Sequence, residues 1–189
     1  GLGGTIDVSG VELIRYTGVA TNDSLTVRTG NQNDTARQSG GFSVTIDDIT
    51  SSSLPHIQYT GLLNFTLDIG NGIDTATVEI SSLHGATNYF VNSTVSDTVI
   101  FKGEGDSEVW TATNPTGGNP FALTDSTTAH SGATVTVTGT ALDIQFQTLG
   151  GDDRLTIDTS VDGPIALPMT FDGGNNRDTL VVTGTPPGP

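Results

Sequence analysis

The sequence predicts an all-β domain, and three observations support that prediction. No window of about 11 residues places apolar residues at helical spacing. Thr, Ser, Gly and Asn dominate the chain, and these residues are unfavourable in helix interiors. Short segments alternate apolar and polar residues and are rich in β-branched side chains, and Gly or Asn clusters separate most of them. The predicted strands lie at residues 5–14, 24–29, 42–49, 63–69, 76–80, 97–102, 133–139, 142–148, 154–158 and 179–184.

A motif of aspartate, a small polar residue and a strand recurs along the chain. Its clearest copies are NDSLTV, GNGIDTATV, SDTVIF, GGDDRLTI and NNRDTLVV, and weaker copies are DDIT and TDSTT. The aspartates stand at positions 23, 48, 74, 97, 125, 153 and 178. A spacing of roughly 25 residues is typical of a structural repeat. It predicts a parallel β-solenoid whose coils stack and align the aspartates in one column.

An antiparallel β-sandwich is the alternative fold, because its strands also recur at short intervals with turns between them. The even repeat favours the solenoid. Residues 1–189 are predicted to form a single repeat domain. Within it, residues 1–19 form a strand segment that could be donated to a neighbour, residues 111–132 a long loop, and residues 185–189 a Pro-rich tail.

The charge of the chain restricts its partners. Asp and Glu number 21 against 6 Lys and Arg, which gives a formal charge of −15. Such a chain repels nucleic acids and anionic membrane surfaces and attracts divalent cations. Cysteine is absent, which excludes disulfides and thiolate metal sites. Every apolar run falls short of the roughly 20 residues of a membrane-spanning helix, so no membrane insertion is expected.

The segment Gly173-Gly174-Asn175-Asn176-Arg177-Asp178-Thr179-Leu180-Val181 resembles the RTX nonapeptide GGxGxDxUx, with Asn176 in place of the third Gly. Partial copies are IGNGIDTAT at residues 69–77 and GGDDRL at residues 150–155. The copies recur about every 25 residues rather than in tandem nines. The resemblance implies that Asp carboxylates and turn carbonyls bind calcium between stacked coils.

Most of residues 20–184 is also similar to the Gly-rich Asp-Thr-Leu repeats of very large bacterial extracellular surface proteins. That similarity implies an extracellular or cell-surface location and a structural or adhesive role without catalysis. The copies of the motif are the basis for both resemblances.

Calcium takes six to eight oxygen ligands, which carboxylates and the carbonyls of Gly turns supply. Glu104 and Asp106 form one candidate pair. The alternative is that each aspartate caps its turn by accepting backbone N–H groups. The predicted calcium ligands are Asp68, Asp74, Asp152, Asp153, Asp172 and Asp178.

Other chemistry has weaker support in the sequence. The three histidines are far apart, and no motif of a hydrolase, metalloprotease or phosphate-binding loop is present, so we expect no enzyme. A carbohydrate-binding module would use Tyr16, Tyr59, Tyr89 or Trp110 as stacking platforms. A polysaccharide-cleaving solenoid would need two carboxylates about 5–10 Å apart in a groove. Sequons for N-glycosylation occur at Asn22, Asn33, Asn64 and Asn92.

The sequence therefore predicts an extracellular structural or adhesive domain, such as part of a surface layer, an adhesin stalk or a filament subunit. Its expected partners are copies of itself or neighbouring domains of the same protein, because stacked coils end in unpaired strand edges. Surface polysaccharide is a further candidate partner, and calcium is the expected cofactor.

Overall fold

The computed structural model describes residues 13–18, 23–39, 43–48, 56–84, 86–115, 121–130, 132–141, 143–160 and 162–184, and the chain is all-β across these ranges. A single 3-10 turn, Ile80–Ser82, is the only helical element in them. The strands are β1 (Leu13–Thr17), β2 (Ser24–Arg28), β3 (Asp34–Ser39), β4 (Ser43–Asp48), β5 (His56–Thr60), β6 (Leu62–Asp68), β7 (Thr75–Glu79), β8 (Ala86–Ser93), β9 (Thr98–Lys102), β10 (Val109–Thr113), β11 (Phe121–Asp125), β12 (Thr134–Gly139), β13 (Asp143–Gln147), β14 (Arg154–Asp158), β15 (Met169–Asp172) and β16 (Thr179–Thr183).

The strands form two eight-stranded sheets. Sheet 1 has the order β1-β5-β4-β3-β7-β9-β13-β15, and sheet 2 has the order β16-β14-β10-β11-β12-β8-β6-β2. Each described sheet is open, because its two outermost strands have one neighbour each. Antiparallel pairing is confined to β3–β4, β4–β5, β10–β11 and β11–β12, and the other neighbours run parallel.

The chain crosses from one sheet to the other after most strands, so a parallel neighbour lies two strands further along the chain, or four strands further where an antiparallel excursion intervenes. Two antiparallel excursions interrupt this alternation. Strands β4 and β5 extend sheet 1, and β11 and β12 extend sheet 2. These excursions explain why the spacing between stacked strands is not constant.

One hydrophobic core lies between the sheets. In sheet 1, Val78, Phe101 and Phe146 are register partners on β7, β9 and β13, and all three side chains are buried. Phe121 of sheet 2 packs between these rings, with ring centroids 5.6 Å from Phe101 and 5.9 Å from Phe146. Identical or similar apolar residues thus stack in rows, because parallel in-register pairing repeats the same inward position on each strand.

The prediction of a long loop at residues 111–132 was wrong. Strand β10 continues to Thr113, and β11 follows with Phe121 and Leu123 fully buried. The apolar residues of FALTD complete the core opposite β9 and β13, and that burial outweighs the polar residues around them. The predicted strand at residues 5–14 lies mostly outside the described residues, as does the tail 185–189. Strand β1 pairs parallel with β5 of the same chain.

Candidate functional site

A carboxylate ladder runs along the start of three neighbouring strands in sheet 1. The Asp34 N–H donates to Asp74 Oδ1 at 2.6 Å, and the Asp74 N–H donates to Asp97 Oδ1 at 3.0 Å. The outer members also accept from their own turns: Asp34 Oδ2 from the Gly30 N–H and Asp97 Oδ2 from the Thr94 N–H. The carboxylates of Asp74 and Asp97 therefore join one strand to the next, which is the capping role applied between strands, whereas that of Asp34 caps its own turn.

A second carboxylate ladder occupies the corresponding position in sheet 2. The Glu108 N–H donates to Asp153 Oδ1 at 2.9 Å, and the Asp153 N–H donates to Asp178 Oδ1 at 3.2 Å. Glu108 Oε1 accepts the N–H of Glu104 at 2.6 Å. The single column expected from the sequence is thus two columns, one on each sheet.

The weaker copies of the motif do not join these ladders. Asp48 and Asp125 are the last residues of β4 and β11, so neither precedes a strand as the motif requires. Asp23 belongs to one of the clearest copies, and there the backbone carbonyl accepts the N–H groups of Leu63 and Asn64. A local match to the motif therefore does not by itself predict that an aspartate joins a carboxylate ladder.

Burial perturbs the ionisation of the ladders. Burial raises the pKa of the Asp74 carboxyl, the hydrogen bond from the Asp34 backbone opposes this, and the charges of Asp97 and Asp34 add to it. Burial likewise raises the pKa of Glu108 to about 8, with the backbone of Glu104 opposing and Asp153 reinforcing the shift. Three buried oxygens of the ladders lack a hydrogen-bond partner in the described structure: Asp74 Oδ2, Glu108 Oε2 and Asp153 Oδ2. Burial thus favours the neutral forms of Asp74 and Glu108.

The RTX-like turn is held by the aspartate just before it and by an aspartate of the neighbouring turn before β14. Asp172 Oδ1 accepts the N–H of Gly174 at 3.1 Å, and Asp152 Oδ1 accepts the N–H of Arg177 at 3.1 Å. Gly174 has φ of 75° and Asn176 has φ of 81°, a region that favours Gly and Asn. A Cβ on Gly174 would also collide with the backbone of Leu149 in the turn before β14.

Asp68 is the last residue of β6 in sheet 2, whereas the ladder residues stand at the start of their strands, and it forms an ion pair with Arg28. Its Oδ2 accepts from Arg28 Nε at 2.6 Å, and its Oδ1 accepts from Asn92 Nδ2 at 3.1 Å. Of the six predicted calcium ligands, the structure links Asp153 and Asp178 directly and places Asp74 and Asp68 at separate sites. Calcium binding by the six stays a prediction.

Within the described residues, one group of side chains has the spacing of a metal site: Glu104, Asp106 and His130, whose ligand atoms all lie within 4.8 Å of one another. None of the six predicted aspartates belongs to it. Glu104 and Asp106 lie on the connection between β9 and β10, and His130 lies on the turn between β11 and β12. We call this group the Glu-Asp-His cluster.

His130 is held rigidly in the cluster. Its side chain is 6% exposed, and Nδ1 is 2.7 Å from Oδ2 of the fully buried Asp125. Asp125 Oδ1 accepts the Thr127 N–H at 2.9 Å, so both of its oxygens are engaged. Nε2 of His130 is 3.2 Å from Asp106 Oδ2. Burial lowers the pKa of His130, but the hydrogen bond to Asp125 and the charges of Asp125 and Asp106 outweigh it and raise the pKa overall.

The sequence identified Glu104 and Asp106 as an acidic pair but not His130 or Asp125 as their partners. The segment TDSTTAH does carry a local signal, because Asp125 and His130 flank a short polar turn. The approach of His130 to Asp106, 24 residues away, depends on the antiparallel excursion. That excursion lies in the region predicted to be a loop.

The predicted glycosylation sites differ in accessibility. Asn33 is exposed, and its Oδ1 accepts the Ile73 N–H. The amide nitrogens that a glycan would use are engaged at the next two sites: Asn64 Nδ2 donates to Ser24 Oγ, and Asn92 Nδ2 donates to Asp68. Asn22 lies outside the described residues. Glycosylation of all four stays a prediction.

Three of the four rings predicted as sugar platforms are core residues. Trp110 is fully buried, Tyr59 stacks on Phe65 with centroids 4.4 Å apart, and Tyr89 is also buried. Tyr16 is half-buried and packs against the core. A buried ring presents no face to a sugar, so Tyr59, Tyr89 and Trp110 lack the exposure that this role needs.

The last two strands expose side chains that their neighbours bury. Leu155 and Leu180 are register partners on β14 and β16, as are Ile157 and Val182. Leu155 and Ile157 are 1% and 8% exposed, whereas Leu180 and Val182 are 53% and 69% exposed. We call the inward-facing side of β15 and β16 the terminal face; its residues are Met169, Phe171, Leu180 and Val182.

No family model matches this sequence, and neither a curated protein nor a solved structure is significantly similar to it. In the described part of the chain, no helix has the length and apolar character needed to cross a membrane.

Proposed function

We propose that this chain is a structural segment of an extracellular or cell-surface protein, in which strand pairs stack as the coils of a parallel β-solenoid. The alternation between two sheets supports this proposal, since a passage of the chain to the second sheet and back adds one strand to each sheet. The carboxylate ladders support it as well, because they repeat one hydrogen-bonding arrangement from strand to strand. No catalytic activity is expected.

The observation that carries the proposal is the terminal face. Leu180 and Val182 continue the rows of buried Leu155 and Ile157, but they are exposed. Exposed apolar side chains at an open sheet end are suited to pairing with a further strand. The proposed partner is therefore a neighbouring domain of the same protein or another copy of this chain, which adds strands beside β15 and β16.

Sedimentation velocity over a range of protein concentrations tests this proposal. Wild-type chain is expected to associate as concentration rises, and a Leu180→Lys/Val182→Lys variant is expected to stay monomeric. The matched control is Ile73→Lys/Val95→Lys, which changes two residues that are 67% and 68% exposed on turns and is expected to associate like wild type. Equal association of all three proteins would rule out the terminal face as the assembly surface.

Calcium at the aspartate turns remains part of this proposal. A ligand that binds only the native state raises stability by about 2.7 kcal/mol at a hundredfold excess over its dissociation constant. A rise in thermal midpoint with calcium, absent with magnesium and reduced by Asp172→Asn, is the expected result. An unchanged midpoint would leave these aspartates with their capping role alone.

A second candidate function is carbohydrate binding, and one surface favours it. The outer face of sheet 2 has a shallow depression in which half-buried Phe90 lies among hydroxyl, amide and charged side chains. An aromatic ring among such polar groups suits a sugar. Loss of polysaccharide binding in Phe90→Ala, with binding retained in Ile73→Ala, is the expected result. The lining residues are Ser24, Thr26, Arg28, Asn64, Thr66, Asp68, Phe90, Asn92 and Thr138.

A further inference from the structure

The Glu-Asp-His cluster joins two segments that are separate in the chain. The connection between β9 and β10 supplies Glu104 and Asp106, and the turn between β11 and β12 supplies His130. Two hydrogen bonds hold this turn in place. The His130 N–H donates to the Thr127 carbonyl at 3.0 Å, and the Thr127 hydroxyl Oγ1 accepts the Val109 N–H at 2.8 Å. The imidazole is therefore presented to the carboxylates from a fixed position.

The hydrogen bond to Asp125 determines how His130 faces the cluster. An ionised carboxylate only accepts hydrogen bonds, so the proton of a neutral imidazole resides on Nδ1. Nε2 then carries a lone pair directed at Asp106 Oδ2, 3.2 Å away. Two acceptors at this distance require a positive centre between or upon them. A histidine oriented by a buried carboxylate is the arrangement that metal-binding histidines commonly use.

A buried carboxylate lies at the base of the same loop, outside the three-residue cluster. Glu108 is fully buried at the base of the Glu104–Asp106 loop, with Oε1 bound to the Glu104 N–H. Its Oε2 has no hydrogen-bond partner in the described structure. The hydrogen bond from the Glu104 N–H to Glu108 therefore anchors the start of the loop that carries Glu104 and Asp106.

We propose that Glu104, Asp106 and His130 bind a divalent transition-metal ion of the zinc class, with Asp125 as the residue that orients His130. One imidazole and two carboxylates suit such an ion, whereas calcium selects oxygen ligands. Ligand atoms on a tetrahedral zinc ion lie about 3.4 Å apart, given bonds of about 2.1 Å. The two acidic side chains are exposed, so they can close from their spacing of up to 4.8 Å while His130 stays in place.

The ion would connect the antiparallel strands β11 and β12 to the loop that joins β9 to β10. It would link the turn after β11 to the loop before β10, and β10 and β11 are paired strands. The ion would leave at least one coordination position open to water. This site is independent of the terminal face, so each of the two proposals can fail without the other.

Isothermal titration of zinc chloride into the full chain, with calcium chloride titrated in parallel, tests the site. Wild type is expected to bind one zinc ion and to prefer zinc to calcium. Asp106→Asn changes a side chain that is 50% exposed and is expected to weaken zinc binding without loss of the fold. Asp125→Asn is expected to weaken it by about 10- to 100-fold, the usual effect of losing the group that orients a metal-bound histidine.

His130→Gln supplies the direct test of imidazole ligation, and His84→Gln is its matched control. Circular dichroism establishes that each variant is folded, and cobalt substitution gives intense visible absorption bands when the ion is held in four-coordinate geometry by the protein. We expect these bands in wild type and His84→Gln and their loss in His130→Gln. Absence of zinc binding to wild type, or equal zinc affinity in folded Asp106→Asn and wild type, would overturn the proposal. In that case His130 is protonated on both nitrogens, and its Nε2–H donates to Asp106 Oδ2.

Discussion

Asp153 and Asp178 lie 25 residues apart in the chain and occupy matching positions on neighbouring strands, where Asp178 Oδ1 accepts the backbone N–H of Asp153. The Asp153 carboxylate in turn accepts the N–H of Glu108. Asp153 therefore donates through its backbone to one neighbouring strand and accepts through its side chain from the other. This chain of contacts makes each carboxylate a structural element of the strand beside its own.

Removing the middle carboxylate of this ladder is expected to destabilise the fold. Asp153→Ala leaves the buried Glu108 N–H without an acceptor, which costs about 1–3 kcal/mol. Asp153→Asn keeps an acceptor oxygen and is expected to lose less. Urea denaturation measures the free energies of unfolding.

Asp152→Ala is the control for this experiment, because Asp152 is the exposed neighbour in the same turn, and the Arg177 N–H that it accepts is also exposed, so water can replace the lost acceptor. Its effect is expected to stay within about 0.5 kcal/mol, as is usual for surface substitutions. Equal losses in Asp152→Ala and Asp153→Ala would show that general charge, rather than the ladder contact, sets the stability.

The raised pKa of Asp74 predicts a specific pH dependence. The folded chain holds this proton more tightly than the unfolded chain, in which the pKa of Asp is about 3.9. The contribution of Asp74 is therefore most favourable below that value and is lost as the pH rises through the higher folded-state pKa. Asp74→Asn removes this titration.

Wild type is thus expected to lose stability relative to Asp74→Asn as the pH rises above about 4 (about 0.1 M salt throughout, to keep screening constant). Unfolding in urea at several pH values measures the difference. Parallel stability curves for the two proteins would contradict the assigned direction of the shift.

The register pair Leu155 and Leu180 provides a test of the terminal face that does not depend on assembly. Leu155→Ala empties a buried position and is expected to cost about 2–5 kcal/mol. Leu180→Ala changes a side chain that is 53% exposed and is expected to cost well under half of that in dilute monomer. If Leu180→Ala matches Leu155→Ala at the lowest protein concentration, the terminal face is covered in the monomer.

Trp110 is the only tryptophan, and it is fully buried, so it reports on the core. Its fluorescence is expected to be blue-shifted and resistant to quenching by acrylamide. Addition of polysaccharide is expected to leave it unchanged, even if sugar binds beside Phe90. A sugar-dependent change in emission would indicate that a ligand reaches the ring.

The local features of this fold were predictable from the sequence, whereas its long-range order was not. Alternation and turn residues predict strands such as β14 and β16, and the motif before them places Asp153 and Asp178 in adjacent turns. The excursions break the regular period: Asp34 contacts Asp74 at a separation of 40 residues, and Glu108 contacts Asp153 at 45. Extra strands within one sheet add length that no local pattern distinguishes from a loop.

The candidate metal site depended on that missing information. The sequence shows Glu104 and Asp106 side by side, but their approach to His130 requires β11 to fold back beside β10. The role of Glu108 in the ladder was hidden for another reason. Glutamate stands there in place of aspartate, so a pattern defined by aspartate before a strand does not include it.

The strand order has a consequence for how this protein would respond to tension. The described chain starts at the edge formed by β1 and β2 and finishes at the edge formed by β15 and β16. A pull on the two ends would load the inter-strand hydrogen bonds along their own direction and open them a few at a time, rather than shearing whole strands past one another. The domain would therefore unfold in steps at low force and lengthen as it does so. The antiparallel strands β4, β5, β11 and β12 would add to the length of chain released.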